Sequence, residues 1–504
     1  MISPTRAFQA ADDNPLELAP VVEALSATFE VLAGSRELVR LRRLDTFDRR
    51  LRMASLTLEH QIGVSGERLV LGRPDGSSPV AVPVKDLPWP ALADALPSGS
   101  IADTVAGVIG IRALMVVSDE RRRVQRLELC NEDGKTVARV ELDEPASPGG
   151  APAQLVVRRL RGYDEHARRA ALLLVVSGLR PVDQGEEADS GSADKAPDIG
   201  REDPSSLLLA TALGEFLDAM RENLPGLLDD VDTEFLHDFR VAVRRTRSTL
   251  KLGRPALPDV MRQKWEPAFK WLGDLTTPVR DLDVYELELP MMSQWLVKAD
   301  PADLDPLAKH LRKRRTMARR SLLRVLRSAR FRRLVADWDE ELARLADTPA
   351  DADGEQLSAG ELANRSVSRA YRRVARGGAA IQAGSPAEEL HDLRKRCKEL
   401  RYALEVFAPV VDKGARKKAV ADLKGLQDSL GRFQDTEVER RSLREFAEEM
   451  MAQGTTAGAL LAMGELIGHL DVEQEGARRE FDVAFARFQR PTSRQLMDRL
   501  GGQR

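Results

Sequence analysis

Two short stretches of this chain join a histidine to a row of cations. Residues 236–240 read Leu-His-Asp-Phe-Arg and residues 390–394 read Leu-His-Asp-Leu-Arg, each followed by further cations three or four positions apart. On a helix each residue advances by about 100°. His237, Arg240, Arg244, Arg247 and Lys251 then fall within an arc of roughly 80°. His391, Arg394, Lys398 and Arg401 form the same stripe, with Lys395 alongside. Arginine offers an oxyanion a planar fork of donors, and lysine a compact point charge. Like charges in a row repel one another, so the pattern calls for a compensating partner, and a polyanion lying along the row supplies one. Leu236, Phe239, Val243 and Leu250 in the first copy, and Leu390, Leu393, Cys397 and Leu404 in the second, give each helix an apolar side for packing.

The elements that carry these rows repeat. The second histidine follows the first by 154 residues, and the same offset carries Lys270 to Lys424 and Leu272 to Leu426. It also carries Val279-Arg280-Asp281 to Phe433-Gln434-Asp435. Segments in register with no insertion between them indicate a duplicated unit with one hairpin geometry used twice. Lys270, Arg280 and Lys424 therefore join the stripes as candidate anion contacts.

Other chemistries fit these residues less well. A metal site needs three or more close ligands and a supporting shell. Asp238 and Asp392 adjoin the histidines but lie about 100° off the stripe, and the neighbouring cations oppose a divalent ion. His60, His166, His310 and His469 start no such row and need no special role. The repeated half holds no Gly-x-Ser-x-Gly elbow, no Cys-His constellation and no Gly-x-x-x-x-Gly-Lys-Ser/Thr phosphate loop. No catalytic residue, metal or cofactor is assigned. Nucleic acid competes as a polyphosphate, but Phe239 and Tyr402 are the only aromatics within the stripes, which leaves base stacking without platforms.

The paired Leu-His-Asp-x-Arg stripes resemble the CHAD family, the conserved-histidine α-helical domain. So do Arg280-Asp281-Leu282-Asp283-Val284 and the run Leu426-Gln427-Asp428-Ser429-Leu430-Gly431 with its following Asp435. The resemblance covers about residues 205–490. Where the family pattern has Leu-Gly before Pro-x-Arg-Asp, this chain has Thr276-Thr277. The resemblance implies two four-helix bundles about a pseudo-two-fold axis, with the histidine helices facing each other across a basic groove or pore. It further implies binding of inorganic polyphosphate and residence on polyphosphate granules.

The totals are consistent with local rather than global basicity. The 504 residues hold 77 Lys and Arg against 80 Asp and Glu, a net charge of −3, so an anion site must come from segregation of charge. Charged residues reach 31% and aromatics 5%, which suits charge-rich helical bundles. Cys130 and Cys397 fall in separate domains, which argues against a disulfide framework or zinc site and fits a reducing cytoplasm. The N-terminus lacks an apolar signal core, and no run approaches membrane-spanning length. The run at 170–176 reads as buried structure.

Along the chain, residues 1–20 carry no periodic pattern and read as loose. Residues 21–182 shift toward strands, with alternation at 37–42 and 126–129, turn signals at 72–76 and 131–135, and a closing helix at 167–177. This α+β part resembles the CYTH fold, an antiparallel, eight-stranded triphosphate tunnel that commonly precedes a CHAD domain. Leu44-Asp45-Thr46-Phe47-Asp48, Leu51-Arg52, Leu56-Thr57-Leu58-Glu59, the run from Gly134 to Glu141, and Leu160-Arg161-Gly162-Tyr163 carry that resemblance. Active members open with Glu-x-Glu-x-Lys, and no such triplet precedes Leu44; Leu16-Glu17-Leu18 supplies one carboxylate. Glu128 and Glu141 keep the oxygen chemistry that Mg²⁺ prefers. Without the opening triplet the domain reads as a degenerate, non-catalytic companion.

Residues 183–205 form an acidic linker, and 206–490 the helical domain, with halves 206–345 and 359–490 and a tail at 491–504. The helix at 309–333 belongs to a stretch with twelve Lys or Arg between Pro306 and Ala336 and no acid, spread around much of the circumference and mostly solvated. The reading is a cytoplasmic binder of inorganic polyphosphate, associated with granules and their proteins, touching neither membrane nor nucleic acid. The alternatives are a metal-dependent triphosphatase acting through the N-terminal domain, and a granule scaffold.

Overall fold

A computed structural model describes residues 6–10, 16–64, 66–73, 79–147, 152–182, 198–347 and 357–502. The turn expected around Pro74-Asp75-Gly76, most of the acidic linker and the break at 348–354 lie outside the described residues. The chain divides into two compact units at about residue 192.

The first unit runs β1 (Arg6–Ala10), α1 (Leu18–Ser26), β2 (Glu30–Asp45), α2 (Arg50–Met53), β3 (Thr57–Gly63), β4 (Gly66–Gly72) and β5 (Val80–Val84). It continues with α3 (Ser100–Ile109), β6 (Met115–Cys130), β7 (Thr136–Pro145), β8 (Gln154–Arg159), α4 (Asp164–Val176) and β9 (Leu179–Val182). The nine strands form one antiparallel sheet in the order β5-β4-β3-β2-β6-β7-β8-β1-β9. The expected turn after β6 is present: Gly134, at φ +71°, donates to the Asn131 carbonyl at 2.9 Å. Side chains alternate across the pleat. Leu127, Leu129, Val140, Leu142, Leu155 and Val157 face one core with residues of α1 and α4, while Leu58, Leu69 and Leu71 face a second with residues of α2 and α3. Arg126, Glu141, Arg158 and Arg68 take the other face.

Two expectations change here. Residues 1–20 are not uniformly loose: Arg6–Ala10 forms β1 between β8 and β9, because Ala7 and Phe8 are fully buried in that position. The run at 170–176 is only half inside. Ala170, Ala171 and Leu174 are buried, but Val176 is 84% exposed at the end of α4.

The second unit is all-helical: α5 (Ser205–Asp229), α6 (Thr233–Leu252), α7 (Asp259–Met292), α8 (Asp305–Leu326), α9 (Ala329–Ala346), α10 (Ala359–Ala380), α11 (Ala387–Val406), α12 (Lys413–Ala452), α13 (Ala457–Phe488) and α14 (Pro491–Leu500). Ser205, Thr233 and Asp259 open α5, α6 and α7; Ala359, Ala387 and Lys413 open α10, α11 and α12, each 154 residues later. The lead-in segments pair antiparallel. Ser205 donates its amide to the Leu357 carbonyl (3.2 Å) and Ala359 to that of Asp203 (2.8 Å), with Pro204 opposite Ser358, its counterpart at the same offset. Matching residues that meet each other are the mark of a two-fold relation.

The halves do not stay separate bundles. With 34 and 40 residues, α7 and α12 extend far enough to share a further core. There Leu282, Tyr285 and Met292 of α7 and Leu307 and Leu311 of α8 pack on Leu443, Phe446 and Met450 of α12 and on Met463, Leu466 and Leu470 of α13. Apolar positions continue along both long helices, so they need partners at that depth. The expected tail is also structured. Met497 and Leu500 bury one side of α14, and the Ser493 hydroxyl donates to Asp422 at 2.7 Å. No helix among the described residues is long and apolar enough to cross a membrane.

Candidate polyanion-binding site

The first stripe stands on α6, whose start is fixed by Asp232: its carboxylate accepts from the amides of Glu234 (2.9 Å) and Phe235 (3.3 Å). Phe235, Leu236, Phe239, Ala242, Val243 and Leu250 bury one side. That burial turns His237, Arg240, Arg244, Arg247 and Lys251 to the other. On α11 the residues Leu390, Leu393, Cys397, Leu400 and Leu404 do the same for the second stripe. Burial pushes the Cys397 thiol up to about 12, so it is an inert packing group.

Helices α6 and α11 pack against one another, and this contact brings the two stripes together. Arg244 and Lys398 are counterparts at the same offset, one on each of these two helices. Burial, then the charges of Arg394 and Arg244, push the Lys398 ammonium down to about 8, with Asp435 opposing. The Arg244 guanidinium also lies 5.8 Å from the centre of the Tyr402 ring on α11. One residue outside this contact, Arg245 pairs with Glu405 at 3.1 Å and ties the halves.

The other candidates are held to different degrees. Arg240 is half-buried and braces α7: its Nη1 donates to the hydroxyls of Thr277 (2.8 Å) and Thr276 (3.1 Å) and reaches the Gly273 carbonyl (3.4 Å). Thr276-Thr277 thus has a structural use beside Pro278, which removes a rung of the helix ladder. Arg247 lies against Gly273, where a Cβ would come within 2.9 Å of its Nη1, so glycine permits the approach. Arg280 pairs with Glu234 at 3.5 Å, and Arg394 with Asp435 at 3.1 Å. Arg401 donates to Glu405 at 2.8 Å. Lys395 turns to Asp392 at 3.1 Å, and Lys270 to Asp274 at 3.7 Å. Lys251, Lys270 and Lys424 are exposed.

The two histidines differ. His391 Nδ1 donates to the Gln434 Oε1 at 2.6 Å, a direction set by the acceptor, which leaves Nε2 for a ligand. At the matching position in the first half stands Arg280 instead of Gln434. Burial first, then Arg280, hold the His237 pKa below its ordinary value, which favours the neutral imidazole in the free protein. An arriving anion would reverse that bias.

A carboxyl pair that no motif or spacing points to lies where α7 and α12 cross. Burial, then Glu288 and Asp435, push Glu439 up to about 8; Glu288 is raised by burial and by Asp435. Glu439 matches Tyr285 at the repeat offset and Glu288 matches Ser442, so a crossing of matched positions sets the pair face to face. Because the folded state raises this acid, stability is full below the unfolded value near 4.5 and falls as pH rises to about 8. Glu439→Gln is expected to be neutral in thermal melts at pH 5. At pH 9 it should stabilise by roughly 1–3 kcal/mol after allowance for solvent screening. An equal effect at both pH values would contradict a shared proton here.

In the sheet unit, Arg68, Arg126 and Arg158 gather around Glu141. Glu141 accepts from Arg158 at 2.5 Å and from Arg126 at 3.1 Å, and burial lowers the Arg68 pKa, helped by Arg126. Glu128 pairs with Arg139 at 3.2 Å. Both carboxylates that could have served Mg²⁺ are therefore engaged by guanidiniums. No group of three or more His, Cys, Asp or Glu among the described residues is arranged to hold a metal ion.

Comparison with known proteins agrees with the helical unit. The uncharacterized protein Rv2226 of Mycobacterium tuberculosis is 30% identical over 266 residues, 49% of this chain and 48% of that one, so the chain spans about half the length of this relative. Among solved structures, the CHAD domain from the plant Ricinus communis shares 24% identity, covering 58% of this chain and 95% of that chain, with a TM-score of 0.49. PptA from Streptomyces chartreusis shares 21%, covering 56% and 99%, at 0.44. A Bacillus halodurans protein provisionally named an adenylate cyclase shares 16%, covering 38% and 98%, at 0.28. The sequence profile of the CHAD domain matches residues 211–444, and the chain carries a CHAD domain there.

Proposed function

We propose that the helical unit binds inorganic polyphosphate between α6 and α11, as the family resemblance implies. The observation that carries this reading is the packing of α6 on α11, which sets Arg244 against the Tyr402 ring and brings the two matched stripes together. Burial first, then Arg394 and Arg244, depress the Lys398 ammonium, so cations of both halves act on one another in a field that a polyanion would relieve. A gene duplication that produced both stripes accounts for the common 154-residue offset of the three helix starts. Arginine forks grip phosphate oxygens, and His391 Nε2 adds a hydrogen bond. The sheet unit is a non-catalytic companion, and the protein resides on polyphosphate granules in the cytoplasm, where it meets granule proteins.

Calorimetric titration with polyphosphate of defined length, with duplex DNA as competitor, tests this reading. Affinity should fall about tenfold or more between 50 and 200 mM salt if three or more phosphates are neutralised, by analogy with counterion release. A salt-independent affinity, or preference for DNA, would defeat it. A second reading, a Mg²⁺-dependent triphosphatase in the sheet unit, is favoured by the gathering of Arg68, Arg126 and Arg158 on one face. Phosphate release from tripolyphosphate with Mg²⁺ tests that reading, and against it stands the capture of Glu141 by two of those arginines.

A further inference from the structure

The cations of α8 sort into two sets. Arg314, Arg315 and Arg319 turn inward. Arg314 pairs with Glu449 at 2.8 Å, Arg315 with Asp283 at 2.6 Å and Asp230 at 3.0 Å, and Arg319 with Asp230 at 3.1 Å. Lys309, Lys313, Arg320, Arg324 and the capping Arg327 are exposed, and none of their side chains has a hydrogen-bond or ion-pair partner among the described residues. At about 100° per residue these five fall within roughly 60° of arc, and 18 steps of 1.5 Å make the row about 27 Å long. Arg312 flanks it. The cations do spread around the helix, as the sequence suggests, but the five on its outer side form a row opposite the buried Leu307, Leu311, Leu322 and Leu326.

The outer row belongs to no structural network. Asp230, just before α6, is bound from the inner side of α8, so the row points away from the helices that carry the histidines. The stretch from Pro306 to Ala336 contains no acid, so no local carboxylate is at hand to neutralise the row. Lys313, Arg320, Arg324 and Arg327 recur at spacings of seven, four and three residues, with Thr316 and Met317 in the gap. No aromatic stands in the row, so it has no platform for stacking bases. A flexible chain of closely spaced phosphates matches such a row, since it can follow the helix and needs no stacking or groove complementarity.

We infer that the outer face of α8 is a second polyanion site, and that a protein with two such faces cross-links long phosphate polymers. For the ligand class this rests on the function proposed above; the site itself is independent of the α6–α11 contact. Two sites facing different ways on one protein can hold two chains, and two chains each holding several proteins make a network. Condensation of the polymer follows from valence, without any dedicated scaffold segment.

The test uses the full chain, with Lys313→Gln, Arg320→Gln and Arg324→Gln combined as the outer variant, and Arg244→Ala with Lys398→Ala as the inner one. With short polyphosphate, calorimetry should find two chains per wild-type protein and one per molecule of either variant. With long polyphosphate, light scattering should rise several-fold for wild type and stay near baseline for the outer variant. The charge-preserving Arg320→Lys with Arg324→Lys should behave as wild type, which separates lost charge from lost fold. Unchanged stoichiometry and scattering in the outer variant would overturn the second site. If instead the inner variant is unchanged while the outer one loses binding, the α6–α11 reading fails and the α8 site stands. Tighter binding of duplex DNA than of polyphosphate by the inner variant would overturn the assigned ligand.

Discussion

In a background that already carries the outer α8 substitutions, Arg244→Ala combined with Lys398→Ala is expected to weaken binding of long-chain polyphosphate by on the order of 100-fold, taking the low end of 1.5–3 kcal/mol for each charge-assisted contact. The two residues come from different halves of the helical unit and stand on the packed helices α6 and α11, so one polymer segment can reach both. A contact to either cation raises the effective concentration at the other, which makes the paired loss larger for long chains than for short ones. Each single variant should fall about tenfold or less. Lys270→Ala with Lys424→Ala serves as a contrast, because both side chains are exposed; that pair should cost less than about threefold. Arg240→Ala is a poor probe of binding, since it strips a brace from Thr276, Thr277 and the Gly273 carbonyl and would lower stability as well. Titration at fixed salt, with circular dichroism on every variant, measures these differences. A double variant that binds within threefold of its background would remove the shared site.

The helical unit could be read from sequence because period and repeat agreed. The stripe on α6, the 154-residue offset and the buried sides of both histidine helices follow from spacing alone. Helix continuity was harder to read. Pro267 and Pro278 lie inside α7, which nevertheless runs unbroken, because local braces such as the Arg240–Thr276–Thr277 cluster hold the chain where a rung is missing. The basic stretch has the pattern of one helix over 309–333; Ser328, whose hydroxyl accepts from the Phe331 amide at 3.3 Å, starts α9 and divides it. Burial was least legible. Composition cannot tell which cations of α8 turn inward, since that depends on Asp230, Asp283 and Glu449 arriving from other helices. The Glu288–Glu439 pair was hidden for the same reason: its members are 151 residues apart and meet only at a helix crossing.

The depressed Lys398 makes binding depend on pH in a defined direction. In the free protein its ammonium titrates at about 8, lowered by burial and by Arg394 and Arg244. A bound polyanion contributes opposite charge and returns the lysine toward its ordinary value, so binding takes up a proton. By linkage, affinity should be flat well below pH 8 as far as this residue is concerned. Above pH 8 it should fall by up to about tenfold per unit, because the free protein has then lost the proton that the complex needs. Glu439 titrates in the same window, and its ionisation adds negative charge beside Asp435, the partner of Arg394. The two effects act in the same direction and separate by mutation. Lys398→Arg keeps the charge at every accessible pH and should leave only the Glu439 contribution. Adding Glu439→Gln should flatten the profile between pH 7 and 9. Calorimetry in buffers of different ionisation enthalpy counts the protons directly. Wild type at pH 8 should take up about half a proton at Lys398, and Lys398→Arg should lose that share. A wild-type affinity equal at pH 7 and pH 9, with no proton uptake, would mean that the polyanion does not reach Lys398.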